Sequence, residues 1–290
     1  MARVSALLET PLVAVRDIAC RRPRSGPGEL RGGEGTHLVL VRHGAFTAHV
    51  GARRHVANAC TALVSWADRE YRISHPGHGG DDWVVLELSP ALAAEALAPV
   101  RTREDVELAL GPGLQIEAAR LTARLRAGAP APRDGADPCD GADDALSIEE
   151  QALELLQTVI GAAPRRTAPR REHGTAARQR LVRRAVELLH RDLSASTSIV
   201  EMSAELGCSP FHLMHAMRAE RGTTIRGYRI AARLGAALHR LAAGESDLAR
   251  LALDLGFASH AHLTDTCVRL TGAPPRTLRD QLALPRRALA

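Results

Sequence analysis

From Gln179 onward, apolar residues recur at the spacing of amphipathic helices almost without a break. "QRLVRRAVELLHRDLS" sets Leu181, Ala185, Leu188 and Leu189 along one stripe. "SIVEMSAELG", "SPFHLMHAMRAERG", "TIRGYRIAARLGAALHRLAAG", "DLARLALDLG", "SHAHLTDTCVRLTG" and "PPRTLRDQLAL" follow, predicting about seven helices with very short turns between several of them. The front of the chain has a different rhythm. Between residues 36 and 88, "THLVLVRH", "AFTAHV", "ALVSW", "EYRISH" and "WVVLEL" are short β-like runs, and turn-like stretches such as "GAR", "ADR" and "PGHGGDD" fall between them. This pattern predicts a small antiparallel barrel or jelly roll.

Two helical patterns come next. "LQIEAARLTARLRAG" (114–128) brings Leu114, Ala118, Leu121 and Leu125 near one stripe. "SIEEQALELLQTVIG" (147–161) opens with Ser147 and Glu150, a capping-box pair, and carries Ile148, Ala152, Leu155, Leu156 and Val159 close to one side. The Pro-, Gly- and Asp-rich "APAPRDGADPCDGADDA" between them predicts a solvated loop. The proline-punctuated "GAAPRRTAPRREHGTAAR" (161–178) predicts an interdomain linker. The expected organisation is therefore α+β: a cupin-like β-domain with trailing helices over 1–160, the linker, and an all-α domain over 179–290.

A length of 290 residues suits two domains, and a hydrophobic content of 45% is ordinary for a globular chain. No apolar run reaches the roughly 18 residues of a membrane span. "MARVSALLETPLVAVRD" carries Glu9 and lacks a small-residue cleavage site after a clean apolar run, so no signal peptide is expected. Cys20, Cys60, Cys139, Cys208 and Cys267 are odd in number, scattered and never in CxxC spacing. That pattern opposes a disulfide framework or a structural zinc site, and the reduced cytoplasm is the expected compartment. All 38 basic residues are arginine. Residues 171–290 hold 18 arginines against 11 carboxylates, whereas residues 1–170 hold 20 against 22. A basic C-terminal part on a near-neutral front half fits a nucleic-acid-binding module joined to something else.

The C-terminal part also contains a duplication. "SIVEMSAELGCSPFHLMHAMRAERGT" and "DLARLALDLGFASHAHLTDTCVRLTGA" each carry an apolar residue (Met202, Leu251), a small residue (Ser203, Ala252) and, four positions after that, a glycine (Gly207, Gly256). The small residue lets two helices approach, and the glycine supplies the positive φ of a sharp turn. Ser209 and Ser259 are N-caps for the following helix, which runs to Gly222 or Gly272. The turn in the second unit is one residue longer. Helix-turn-helix geometry gives the second helix of each pair a reason to keep one face polar and open to solvent.

On these residues, about 180–284 of the chain resembles the AraC/XylS family of bacterial transcription regulators. The resemblance rests on Ser209-Pro210, His212-Leu213, Gly222, Tyr228, Arg233-Leu234, Ala237, Gly256-Phe257, Ser259, Gly272 and Pro275. It implies two helix-turn-helix subdomains on one long connecting helix, entering adjacent major-groove segments on one face of double-stranded DNA. It also implies an N-terminal cupin-type domain that senses a small effector and dimerises, with RNA polymerase as a further partner. That front-half match is looser.

Helical spacing then sorts the side chains. Leu213 and Met217 should face the core with Met202 and Leu206, leaving Phe211, Met214, His215 and Arg218 for the groove. Phe211 and Met214 would meet thymine methyls, with core filling as the competing reading. His215 would meet a base edge or phosphate, and Arg218 a phosphate or guanine. His212 reads as a packing or capping residue. In the second unit Leu263 and Cys267 form the core pair. Ser259, His260, His262, Thr264 and Asp265 remain as groove candidates, with Arg269 nearer the backbone. Here the sequence departs from the family, since Leu263 and Cys267 replace common aromatics and Asp265 replaces a common basic residue. A carboxylate near phosphate is repulsive, so the second unit should bind less tightly and contribute selectivity.

The front half offers His37, His43, His49, His55, His75 and His78, but neither an HxH-plus-glutamate run nor another metal spacing. His75, His78 and Asp81 in "SHPGHGGDD" read as a tight loop. No cofactor, metal site or catalytic motif is predicted, and Cys20 beside Arg21 and Arg22 is the better thiol candidate. The expected function is an effector-controlled, dimeric DNA-binding regulator, with the helices at 114–128 and 147–161 dimerising. The alternative is a cupin-like metal-dependent enzyme or metal binder with a DNA-binding tail.

Overall fold

The computed structural model describes residues 2–282 apart from 22, 24, 31, 33–34, 68, 78–79, 99, 101–105, 129–139 and 162–174. The fold is α+β. Among the described residues, nine antiparallel strands form the front half: β1 (Ala2–Glu9), β2 (Val13–Cys20), β3 (Thr36–His43), β4 (Ala45–Val50), β5 (Arg53–Asn58), β6 (Thr61–Ser65), β7 (Arg72–Ser74), β8 (Asp81–Leu88) and β9 (Val106–Ala109). Their order is β1-β2-β8-β3-β6-β5-β4-β7, with β9 on β6, so β1 and β7 are the two ends of an open half-barrel. Both sheet faces are buried. Leu38 and Leu40 of β3 join one core with Val84 and Leu86 of β8, while Val39 and Val41 join a second with Phe46 and Trp83. That explains why β3 reads as a nearly continuous apolar run rather than an alternating one.

Helix α1 (Pro90–Ala96) is capped by Ser89, whose hydroxyl accepts from the backbone N–H of Leu92. Helices α2 (Pro112–Gly128) and α3 (Asp140–Gly161) follow. The run "DGADDA" is the opening of α3 rather than loop, so Ser147 lies inside the helix and not at its N-cap. Only residues 129–139 of the predicted loop fall outside the described residues, Cys139 among them. The apolar faces of α2 and α3 close one side of the half-barrel, burying Ala118, Leu125, Ala152, Leu155, Leu156 and Val159. These buried faces pack within the chain.

The C-terminal part holds seven helices among the described residues: α4 (Thr175–Arg191), α5 (Ile199–Leu206), α6 (Pro210–Arg221), α7 (Ile225–Ala242), α8 (Leu248–Asp254), α9 (His260–Thr271) and α10 (Pro275–Leu282). The predicted linker therefore ends in the first turn of α4; its stretch 162–174 lies outside the described residues. Helices α5 and α6 form the first helix-turn-helix, α8 and α9 the second, and α7 connects them. Leu213, Met217, Met202 and Leu206 are buried together with Val182 and Val186 of α4. Leu263 and Cys267 are buried with Leu251, Ala252 and Phe257.

Arg233 on α7 ties the units together. Its guanidinium donates to the carbonyls of Leu193 (2.7 Å), Ala195 (3.2 Å) and Gly256 (2.6 Å), and it lies over the Phe257 ring at 6.0 Å. This crowds Gly256. A Cβ there would meet the Ser194 carbonyl at 2.4 Å and the Arg233 guanidinium at 2.6 Å, at φ +75°; at Gly207, φ +71°, it would meet nothing within 4 Å. Gly207→Ala should therefore cost about 1 kcal/mol from backbone conformation alone, and Gly256→Ala roughly 3 kcal/mol or more. Urea unfolding of the two variants checks this, and equal losses would show that Gly256 is not a site of tight approach.

Candidate nucleic-acid interface

Each second helix of the two units is built by the same local chemistry. Ser209 and Ser259 hold extended backbone, and their hydroxyls accept from the N–H of His212 (3.2 Å) and of His262 (3.1 Å). Pro210 occupies the first turn of α6, where its missing N–H costs nothing. Gly222 (φ 65°) and Gly272 (φ 76°) end the helices in left-handed backbone that only glycine enters cheaply.

With ends fixed in this way, the outward faces follow from i, i+3, i+4, i+7 spacing. On α6, Phe211 is 72% exposed and Met214 44%, and His215 and Arg218 are exposed beside them. Phe211 and His215 lie ring to ring at 5.9 Å. Core filling by Phe211 and Met214 is thereby excluded. His212 is exposed rather than packed; its backbone N–H, not its ring, takes part in the cap.

On α9, Ser259, His260, Asp265 and Arg269 are exposed and Thr264 is half-buried. His262 departs from expectation. Its Nδ1 accepts from the N–H of Ala258 (3.2 Å) and its ring meets Phe257 edge-on at 5.4 Å, so it fastens the turn rather than projecting freely. Register between the units explains why. Ser209 and Ser259 stand fifty residues apart, so Phe211, Met214, His215 and Arg218 correspond to Ala261, Thr264, Asp265 and Val268. Val268, 46% exposed, occupies the place that Arg218 holds on α6, and its side-by-side neighbour Arg269 is displaced toward one flank. Sequence spacing alone missed Ala261 and Val268. The same offset pairs Arg226 with Arg276, both exposed in the first turns of α7 and α10, and extending the repeat past Gly222 and Gly272 would have found them.

The front half is docked on this helical part. Val56 and Cys60 lie in the core beneath the first unit, and Ile116 of α2 in that of the second. Tyr228 donates its hydroxyl to Asn58 Oδ1 (3.1 Å), Arg221 reaches Glu107 of β9 (2.6 Å), and Thr47 donates to Glu187 of α4 (3.1 Å). His43 of β3 stacks on His239 of α7 at 5.2 Å, and His239 Nε2 lies 3.4 Å from Asp82. Of the front-half histidines, His49 bonds Ser74 (2.7 Å), His55 lies 3.6 Å from Glu107, and His75 bonds Asp81 (2.8 Å). His37 is half-buried, and His78 falls outside the described residues. They do not converge on one centre.

Residues 202–281 match the family model for a helix-turn-helix domain, which spans both units. The C-terminal part of the chain is thus an AraC-type helix-turn-helix DNA-binding domain, as the sequence resemblance implied. No curated protein matches the chain. Among solved structures, an apo ToxT variant from Vibrio cholerae is similar over 95% of this chain and 99% of its own, at 10% identity and a TM-score of 0.36. A transcriptional regulator with an AraC-type DNA-binding domain from Chromobacterium violaceum is similar over 38% of this chain and 98% of its own, at 25% identity and a TM-score of 0.36. The AraC-like transcriptional activator CuxR is similar over 80% of this chain and 79% of its own, at 14% identity and a TM-score of 0.40. No helix among the described residues is long and apolar enough to cross a membrane.

The docked halves give stability a defined pH dependence. Burial, with Arg221 adding to it, pushes His190 from 6.5 down to about 4. An imidazole with a lowered folded-state value binds a proton more readily when the chain unfolds. Its contribution is therefore full above about pH 6.5 and lost as pH falls toward 4, a loss of roughly 3 kcal/mol at the limit. Burial alone would raise Glu107, but His55 and Arg221 override it and bring the carboxyl down to about 2, so that its contribution is lost only below about pH 4.5. The urea midpoint should fall between pH 7 and 5, and fall less in His190→Gln. A flat wild-type profile over that range would refute a buried neutral imidazole.

Proposed function

We propose that this chain is a sequence-specific, double-stranded-DNA-binding transcription regulator controlled by a small molecule bound in its front half. The observation that carries the reading is the pair of identically capped helices, α6 and α9, each with one face buried and the opposite face open, fixed on a common helix. Phe211 and Met214 are suited to thymine methyls, His215 to a base edge and Arg218 to guanine or phosphate. Ser259, His260, Thr264 and Asp265 present the second reading face, joined by Ala261 and Val268. Arg226, Arg269 and Arg276 flank the two faces as phosphate contacts. His262 contributes by holding the turn. Asp265 accepts from a cytosine amino group or repels the backbone, so the first unit supplies most of the affinity and the second discriminates.

The effector reading is supported by a polar cavity of about 440 Å³ between the half-barrel and α4, bounded by Thr47, His49 and Arg54 on one side and by Glu187 and Arg191 on the other. A ligand there touches both halves of the chain, so it can bias how they dock. A second copy of the chain and RNA polymerase complete the set of partners. The partition into a sensing unit over 1–160 and a DNA-binding unit over 179–290, with 161–178 between them, belongs to this reading, as does a role without catalysis.

Sites selected from random duplex DNA provide the probe. Arg218→Ala, Arg226→Ala and Arg276→Ala should each weaken binding and, where the contact is to phosphate, lower the log–log salt slope by about one. Asp265→Arg should raise non-specific affinity at fixed salt. Binding indifferent to ionic strength, or unmoved by all four substitutions, would overturn the reading.

A further inference from the structure

We propose that Cys20, His75 and Asp81 form a binding site for a divalent metal ion of the zinc class. The proposal is independent of how the chain reads DNA. Three elements bring the residues together. Cys20 ends β2 and pairs with Asp81, the first residue of β8, across the ladder. His75 follows β7, held by reciprocal backbone hydrogen bonds with Ser25 (3.0 and 3.1 Å). Two glycines permit the convergence. A Cβ on Gly80 (φ +78°) would meet the Cys20 carbonyl at 2.3 Å, and one on Gly44 (φ +71°) would meet the Gly80 carbonyl at 2.3 Å.

The donor set and its spacing fit such an ion. One ligand atom from each of the three residues lies within 4.8 Å of the others. Cys20 Sγ and His75 Nε2 stand 3.9 Å apart; sulfur and nitrogen on one tetrahedral zinc would be separated by roughly 3.5 Å, a small adjustment. Thiolate, neutral imidazole and carboxylate are the ligand types that zinc accepts. With a dication their charges sum to zero, which removes the main obstacle to burying them. All three are buried, with Cys20 2%, His75 5% and Asp81 0% exposed.

A plain hydrogen-bonded trio leaves one buried atom unsatisfied. Asp81 Oδ1 takes the His75 Nδ1 contact at 2.8 Å, yet Asp81 Oδ2 is buried without any hydrogen-bond partner. An unpaired buried carboxylate oxygen is destabilising, whereas a metal ion satisfies it. His75 also borders the polar cavity of about 440 Å³, which offers an ion a way in and leaves room for a fourth ligand from that side. Spacing in sequence concealed the site because Cys20 is 55 residues from His75.

Full-length protein stripped by a chelator and titrated with cobalt(II), a spectroscopic substitute for zinc, tests the proposal. One equivalent per chain should bring up an intense thiolate-to-cobalt charge-transfer band and release about one proton at neutral pH. Cys20→Ser should abolish the band, Cys208→Ser should leave it, and His75→Gln or Asp81→Asn should each weaken uptake at least tenfold. No band, or the same band in Cys20→Ser, would overturn the site. Should Cys20→Ser fail to fold, X-ray absorption of the zinc-loaded wild type decides. One sulfur at about 2.3 Å among nitrogen and oxygen neighbours supports the assignment, and a first shell without sulfur refutes it.

Discussion

The arrangement of the DNA-facing half depends on one buried arginine. Arg233 projects from the middle of the connecting helix into the place where the end of α4 and the turn between α8 and α9 meet, and there it serves backbone carbonyls from both. Those carbonyls lie beyond helix C-termini, where partial negative charge accumulates, so a fixed cation suits them. A planar fork with five donors can serve acceptors in several directions at once; a lysine ammonium of similar reach would have no face to lay on Phe257. That tie adds to the hold that α7 and the docked front half have on the two helical units. With it, the separation of α6 and α9 is set before any partner arrives, and the ordering cost of binding falls accordingly.

The half-barrel extends the same constraint. Tyr228 sits five residues before Arg233 on α7, and its hydroxyl reaches Asn58 at the end of β5. Arg221, in the last turn of α6, turns back to Glu107 on β9 instead of projecting with Arg218. The helix that carries the first reading face is therefore gripped from behind by the front half, through groups whose burial makes them sensitive to displacement. A change in how β5, β9 and α4 pack would bear directly on α6. Under the proposed function, that gives the front half mechanical access to the first of the two units.

The helical half is legible in the sequence because its signals are local. Caps at Ser209 and Ser259, stops at Gly222 and Gly272, and a fifty-residue echo between them need no knowledge of distant contacts. Legibility fails where tertiary contacts decide. Spacing alone makes His262 a reading residue, but the longer turn of its unit folds it back onto Ala258 and Phe257. Strand β5 escapes the pattern because "RRHVAN" opens with two arginines, and its burial is supplied by α4 rather than by an apolar sequence of its own. Strands β1 and β2 carry short polar interruptions such as Arg16 and Asp17, which the fold satisfies by pairing Arg16 with Glu87 and Asp17 with Arg42. The Cys20–His75–Asp81 trio is hidden for the same reason, since it needs both the pairing of β2 with β8 and the bridge between Ser25 and His75.

The two reading faces are built alike and finished differently, and that difference is itself informative. At matching positions α6 offers an aromatic, a thioether, an imidazole and a guanidinium, while α9 offers a methyl, a hydroxyl, a carboxylate and an isopropyl group. Large, polarisable and cationic groups gain free energy from almost any groove, through stacking, apolar contact and release of counterions. Small groups and a carboxylate gain little and lose much when the opposing base is wrong, because the carboxylate is then left against phosphate or an unmatched acceptor. A rigid scaffold makes this division useful. In the proposed function, with Arg233 holding both faces in register, contacts made by α6 would bring α9 onto the adjacent segment whatever its sequence, and the penalty at Asp265 would then separate right sites from wrong ones.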